Sequence, residues 1–257
     1  VGGPIDVWVN SAMASVFSPV HQLSTEEIRR VTEVTYLGSV NGILAALARM
    51  RPRDSGIIVQ VGSALAYRAI PLQAAYCGSK FAIRGFVDSL RCELRHEASS
   101  VRLTSVHLPA LNTPQFDWVR TRLPRHPQPV PPIYQPEVAA RAIVWAAAHH
   151  RRELWVAAPT VATIVADKLA PGLLDRYLGR TGYDGQQTDE AVEPDRVDNL
   201  YDPAPGRQSA HGAFDGQAHP RSLALEASFH RRLLTGVGSV AGLAGTVAVI
   251  SRKRRTS

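Results

Sequence analysis

The sequence predicts an α/β fold: a doubly wound parallel sheet followed by a C-terminal extension. Three observations carry that expectation. Short runs of apolar, β-rich residues alternate with helical stretches of ten residues or more, the pattern of βαβ units. The run at 57–61 is the continuous apolar kind found in strands covered on both faces of a parallel sheet. The composition, 257 residues with 45% hydrophobic and 20% charged, is that of one sizeable globular core.

Taken in order, residues 5–9 (IDVWV) read as a short buried strand stopped by the turn-forming Asn10-Ser11. Ser24 is a helix N-cap ahead of Glu26 and Glu27. Ile28, Val31, Val34, Leu37, Ile43, Leu44 and Leu47 then keep helical spacing to about Met50. Pro52 and Asp54-Ser55-Gly56 end that element, and 57–61 is a second apolar strand. A helix over 74–96, a strand over 101–108, a proline-rich loop and a helix over 137–149 follow. A short strand at 154–157 and a last helix over 160–178 complete the pattern.

After Gly179 the composition shifts to Gly, Asp, Gln and Pro, which predicts a polar, extended tail over 179–232. Within it, Asn199-Leu200-Tyr201 and His211-Gly212-Ala213-Phe214 are the places to dock on the body or on a neighbouring subunit. Residues 233–257 hold an uncharged Gly/Ala-rich run, 233–250, and a basic end, Arg252-Lys253-Arg254-Arg255. That run has two readings. One is a membrane segment at the lower length limit, with Gly238 and Gly242 spaced for close helix pairing; the other is a helix packing on protein. The protein is accordingly expected to be cytoplasmic, or membrane-associated through 233–250. The chain opens without a charged, apolar leader or an initiator methionine, and its start reads as the interior of a longer protein.

The net charge of +7 comes from arginines scattered through helices, loops and tail, so no nucleic-acid partner is predicted. Cys77 and Cys92 lack metal-ligand spacing, as do His96, His149 and His150, so no metal site is predicted and the thiols are expected to be free. Arg141, Arg151 and Arg152 read as a solvated face.

The chemistry-bearing set is Ser63, Tyr76 and Lys80. Ser63 follows the apolar strand IIVQVG, and therefore lies at the carboxyl end of a parallel strand, where open α/β sheets bind ligands. Tyr76 and Lys80, four residues apart on the next helix, share one face. A phenol with a pKa near 10 is a poor base at neutral pH, and lowering it by about three units takes about 4 kcal/mol. The Lys80 ammonium is the simplest source of that stabilisation, and Ser63 is placed to hydrogen-bond a substrate oxygen. Tyr76 then serves as acid for a carbonyl or base for an alcohol.

With VNSA (9–12), VGS (61–63), YCGSK (76–80) and LPALNTP (108–114) in this order, residues 1–178 resemble the short-chain dehydrogenase/reductase family. The resemblance implies a Rossmann-like sheet and an oxidoreductase that moves a hydride between NAD or NADP and a carbonyl or secondary alcohol. It implies that Ser63, Tyr76 and Lys80 are catalytic, Lys80 and Tyr76 also meeting the nicotinamide ribose. Asn10 and Ala12 would border the adenine and ribose, Thr113 would contact the nicotinamide carboxamide, and Pro109 would belong to the same cofactor-binding set. The family's TGxxxGxG turn is absent. Gly2-Gly3-Pro4 precedes a strand instead of following one, so the sheet is expected to be incomplete, its first βαβ unit missing and part of its surface uncovered. Residues 112–135, with Phe116, Trp118, Ile133 and Tyr134, match a lid over the substrate, and the two long helices match an interface for a homo-oligomer. Ser11 and Met13 depart from the usual turn. Thr35 stands where the family commonly has an asparagine that holds a water beside the lysine; a threonine hydroxyl can hold one too. Thr35 and the altered turn point to an alternative, a non-catalytic binding or scaffold protein, against which the intact Ser63, Tyr76 and Lys80 count.

Overall fold

The computed structural model describes residues 3–204 and 209–230. Strands β1 (Val7–Asn10), β3 (Ile57–Ser63), β4 (Arg102–Leu108) and β7 (Glu153–Trp155) form a parallel sheet in the order β1-β3-β4-β7. Two short pairs flank it: β2 (Val16–Phe17) runs parallel to β5 (Arg120–Thr121), and β6 (Arg125–Pro127) antiparallel to β8 (Gln187–Ala191).

One long helical element spans the expected 25–50 but is not uniform. Helix α1 (Thr25–Thr32) passes through a π-turn at Glu33–Leu37, closed by Gly38 N–H donating to the Glu33 carbonyl, into α2 (Gly38–Met50). Ser24 caps it: its hydroxyl accepts from Glu27 N–H at 3.2 Å while the Glu27 carboxylate accepts from Ser24 N–H at 3.0 Å. Helix α3 (Ala74–His96) packs beside α2, and Ile43, Leu47 and Met50 of α2 meet Ile83, Val87, Leu90 and Leu94 of α3 over Ile58 and Leu103 of the sheet. The helical stretch Thr25–Arg53 is long and apolar enough to cross a membrane by length and composition, with a third of its apolar window buried in the fold. The short helix α4 (Gln115–Trp118) lies in the proline-rich segment, and α5 (Pro136–Ala148) packs on β3 and β4. β1 is an edge strand among the described residues. Its Val7 and Val9 are 42% and 43% exposed, so the strand expected to be buried is covered on one face only.

Two expectations need correction. The helix over 160–178 is two helices, α6 (Ala158–Leu169) and α7 (Pro171–Thr181); Ala170 leaves helical geometry ahead of Pro171, which has no N–H to continue the ladder. The tail over 179–232 is not free up to Ser222. Residues to 222 form one compact unit with the sheet. There β8 pairs with β6, Leu200 is buried among Ala14, Val16, Val31 and Ala75, and Phe214 among Phe17, Phe116 and Ile133. A few well-placed apolar side chains and backbone pairing dock a segment whose average composition is polar. A second unit begins at Leu223, and its described part holds helix α8 (Leu223–Phe229). The run 233–250 and the basic end lie outside the described residues.

Candidate active site

The strand register decides what meets at the carboxyl edge of the sheet. Gly62 pairs with His107 and Ser63 with Leu108, so β3 and β4 end together, and α3 returns from that edge carrying Tyr76 and Lys80. The structure brings Ser63, Tyr76 and Lys80 together. Ser63 Oγ accepts from Leu65 N–H at 3.1 Å, and the Ser63 hydroxyl is near enough to the Tyr76 phenol to favour its ionised form. Lys80 is buried; its Nζ donates to the Val61 carbonyl at 3.2 Å and sits 5.5 Å from the centre of the Tyr76 ring.

The electrostatics differ from the sequence expectation. Burial pushes the Tyr76 phenol well above its ordinary value, and the opposing pull comes from the Ser63 hydrogen bond. The Lys80 ammonium lies over the ring face, and burial brings it down to about 8. Burial is the largest influence on both groups, and it favours the neutral phenol.

The remaining sequence-predicted residues fall into two groups. Asn10 is buried and its amide is fully engaged: Nδ2 donates to the Ser39 carbonyl (2.9 Å) and Gln60 Oε1 (3.1 Å), and Oδ1 accepts from Trp8 Nε1 (2.6 Å). It clamps β1 to β3 and α2, with Gly42 leaving the room: a Cβ there would stand 2.4 Å from Asn10 Oδ1. Ala12 is exposed just beyond β1, and Pro109 and Thr113 are half-buried in the loop after β4. Thr35 sits in the π-turn, fully buried. Its hydroxyl accepts from Ala14 N–H at 2.9 Å and donates to the Ala14 carbonyl at 3.1 Å, so its one proton serves the turn after β1 instead of a water beside Lys80.

Sequence reasoning missed a polar cluster beside Ser63. His107 Nδ1 lies 3.2 Å from the Ser63 carbonyl oxygen, and the ring meets Tyr67 edge-on at 4.9 Å. The Tyr67 hydroxyl donates to Glu153 Oε2 at 2.6 Å, and Arg84 covers the Tyr67 ring at 3.9 Å. A histidine near the carboxyl end of a central strand was the available signal. The segment 211–214, expected to dock on the body or a neighbouring subunit, docks on the body as part of a strap at 209–219 whose polar ties the sequence did not show. Asn112 donates to Gln135 Oε1 and Asp215 Oδ1 and accepts from Phe214 N–H, while His211 bridges Glu137 (2.8 Å) and Asp215 (2.7 Å). The strap thereby binds the loop carrying Pro109 and Thr113 to the end of the lid. The arginines read as a solvated face include Arg152, which pairs with Asp88 at 2.7 Å.

The short chain dehydrogenase family model matches residues 2–123. Over 248 residues the chain is 30% identical to the oxidoreductase YxnA of Bacillus subtilis, covering 96% of this chain and 69% of that one. It is 40% identical over 92 residues to dehydrogenase/reductase SDR family member 7 of Homo sapiens, 36% of this chain and 27% of that one. The fold is similar to that of a short-chain dehydrogenase from Burkholderia cenocepacia in complex with NADP, with a TM-score of 0.57, 24% identity and 68% of each chain covered. Common ancestry with YxnA along most of its length, on this sheet, places the chain in the short-chain dehydrogenase/reductase family of oxidoreductases.

Proposed function

We propose that the full-length protein transfers a hydride between NAD or NADP and a carbonyl or secondary-alcohol substrate, with Tyr76 as acid/base. The observation that carries this reading is the convergence of Ser63, Tyr76 and Lys80 at the carboxyl edge of a parallel sheet. The NADP in the complex of the Burkholderia cenocepacia relative supports the cofactor class.

The residues fit such a group. Lys80 is a buried ammonium that uses one of its three donors on Val61, which leaves two for ribose hydroxyls. Ala12, exposed and small, leaves the end of β1 open to an approaching ribose, and Pro109 and Thr113 flank the same edge. A bound nicotinamide supplies or accepts the hydride; the chain's own residues handle the proton.

Tyr76, held protonated by burial, is a proton donor to a carbonyl oxygen. With the Ser63 hydroxyl near the phenol, a substrate oxygen between the two would be held by both. This arrangement favours carbonyl reduction near neutral pH. Phe116 and Ile133 of the lid pack with Phe214 of the strap in one buried apolar cluster, which supports a lid anchored to the body. Exposed Ile28, Leu37, Leu44 and Phe81 on the long helices support a homo-oligomer.

The test follows reduced-nicotinamide absorbance for the full-length protein with a panel of ketones, aldehydes and secondary alcohols. Tyr76→Phe is expected to cost about 10²- to 10⁴-fold in turnover. Dinucleotide binding without turnover anywhere on the panel would favour a binding protein, the reading to which the engaged Thr35 hydroxyl points.

A further inference from the structure

We propose that His107 is a positioning residue for the serine of this reaction: its Nδ1–H holds the Ser63 carbonyl and so fixes where the Ser63 hydroxyl points. The proposal rests on the reading of Ser63 and Tyr76 given above.

The argument begins with the strand. β4 is buried from Leu103 to His107, and a buried imidazole is costly unless its ring has a polar task. Pairing puts His107 beside Gly62 on the α3 face of the sheet. The ring lies across β3 only because position 62 has no Cβ: one built there would stand 2.6 Å from His107 Nδ1 and 2.9 Å from Cε1. The glycine and the imidazole are thus complementary, and the opening between them leads to Ser63.

The direction of the hydrogen bond follows from its partner. A carbonyl oxygen only accepts, so Nδ1, 3.2 Å away, must carry the proton. Nε2 is buried without a hydrogen-bond partner among the described residues. A proton on Nε2 would therefore bury an orphan donor and turn the Nδ1 lone pair against the carbonyl. The ring is neutral as well, since burial brings it down to about 4; Glu153 works against this, and Arg84 and Lys80 with it. A single tautomer remains.

The segment leaving β3 is held at successive points. His107 takes the carbonyl of Ser63, Leu65 N–H takes its hydroxyl oxygen, Arg84 donates to the Ala66 carbonyl at 3.2 Å, and Tyr67 is tied to Glu153. His107 acts at the serine itself.

The experiment compares full-length wild type with His107→Leu, which fills the space without a donor, and His107→Asn, which keeps an N–H near the Nδ1 position. Nitrogen NMR of the ring is expected to find a neutral imidazole protonated on Nδ1 at neutral pH; a charged ring, or a proton on Nε2, overturns the proposal with no substrate needed. In turnover, His107→Leu is expected to lower kcat by about 10- to 100-fold with NADPH binding unchanged, and His107→Asn to recover most of it. Equal losses in both variants, tracking a loss of thermal stability, would mean packing alone and would also overturn it. Tyr76→Phe and Ser63→Ala run alongside. If either keeps wild-type turnover, the reading of the site fails and the proposal with it; if both are inactive while His107→Leu matches wild type, the proposal alone fails.

Discussion

Replacing Leu200 with alanine asks whether the polar segment after α7 is a working part of the core. Leu200 is 1% exposed, and its neighbours Ala14, Val16, Val31 and Ala75 are small or β-branched, with little freedom to collapse into a void. Leucine-to-alanine changes in such sites cost about 2–5 kcal/mol, and a stiff wall puts this one in the upper half, about 3–5. With a urea dependence of about 3 kcal/mol/M for a chain of this size, the midpoint should fall by about 1 to 1.7 M. Local detachment competes with global unfolding, because the segment is tied down by few bonds, among them Arg30 Nε to the Leu200 carbonyl at 2.9 Å and Asn199 N–H to the Trp118 carbonyl at 2.9 Å. Limited proteolysis at 187–204 separates the two: a lost midpoint with unchanged cleavage means global unfolding, early cleavage means detachment. Val197→Ala, at a position 57% exposed, should stay within about 0.5 kcal/mol of wild type. Tyr76 packs on the same cluster, so turnover should fall with stability. A Leu200→Ala protein that matches Val197→Ala in midpoint and in cleavage would refute the docking.

Three further outcomes can be checked. Gly62→Ala forces a Cβ against the His107 ring and should cost about 1–3 kcal/mol, most of it recovered in a Gly62→Ala/His107→Ala double variant; unfolding curves that show no recovery would place the strain elsewhere. Lys80→Met should abolish turnover yet stabilise the protein at pH 7. The buried ammonium titrates at about 8 instead of 10.5, a cost on the order of 3 kcal/mol that fades as pH rises through that window, so equal midpoints at neutral pH would contradict it. In the strap, Glu137 and Asp215 raise His211, whose contribution is full below the ordinary histidine value and lost as pH rises through the raised one. His211 lowers both carboxylates, whose contributions are lost as pH falls through their lowered values. Amide exchange at 209–219 should therefore be slowest between those limits, and His211→Gln should remove the alkaline limb.

Elements that announce themselves locally were legible. The run around Val59 and the helical periodicity from Ala74 to His96 need no partner to be read, and both stand where expected. Pro171 carried a break that the periodicity of its neighbours concealed. Gln187–Ala191 has no strand pattern at all and becomes one only by pairing with Arg125–Pro127, a fact of tertiary contact. At the site, the nearness of Tyr76 to Lys80 was legible from their four-residue spacing on one helix, and that of Ser63 from its place at a strand end. His107 was not, because its meaning depends on the register that sets it against Gly62. The phenol's electrostatics were misjudged in magnitude: spacing shows a lysine one turn away, but not how thoroughly the fold dries both groups.

The π-turn at Glu33–Leu37 makes the long helix a rotational adapter. Each residue of an α-helix advances about 100°, so one extra residue in a turn offsets everything before it by about that angle from everything after it. On the far side, α2 presents Ser39 and Gly42 to Asn10 and Ile43, Leu47 and Met50 to the sheet. On the near side, α1 presents Glu27 to Arg122, Arg30 to the Leu200 carbonyl and Val31 to the Leu200 cluster. Deleting one residue between 33 and 37 would give a more regular helix, and would swing α1 a quarter-turn away from the lid and tail while α2 stayed seated on the sheet. In this chain the irregular turn sets the phase between the half of the helix that builds the sheet and the half that holds the cover over its edge.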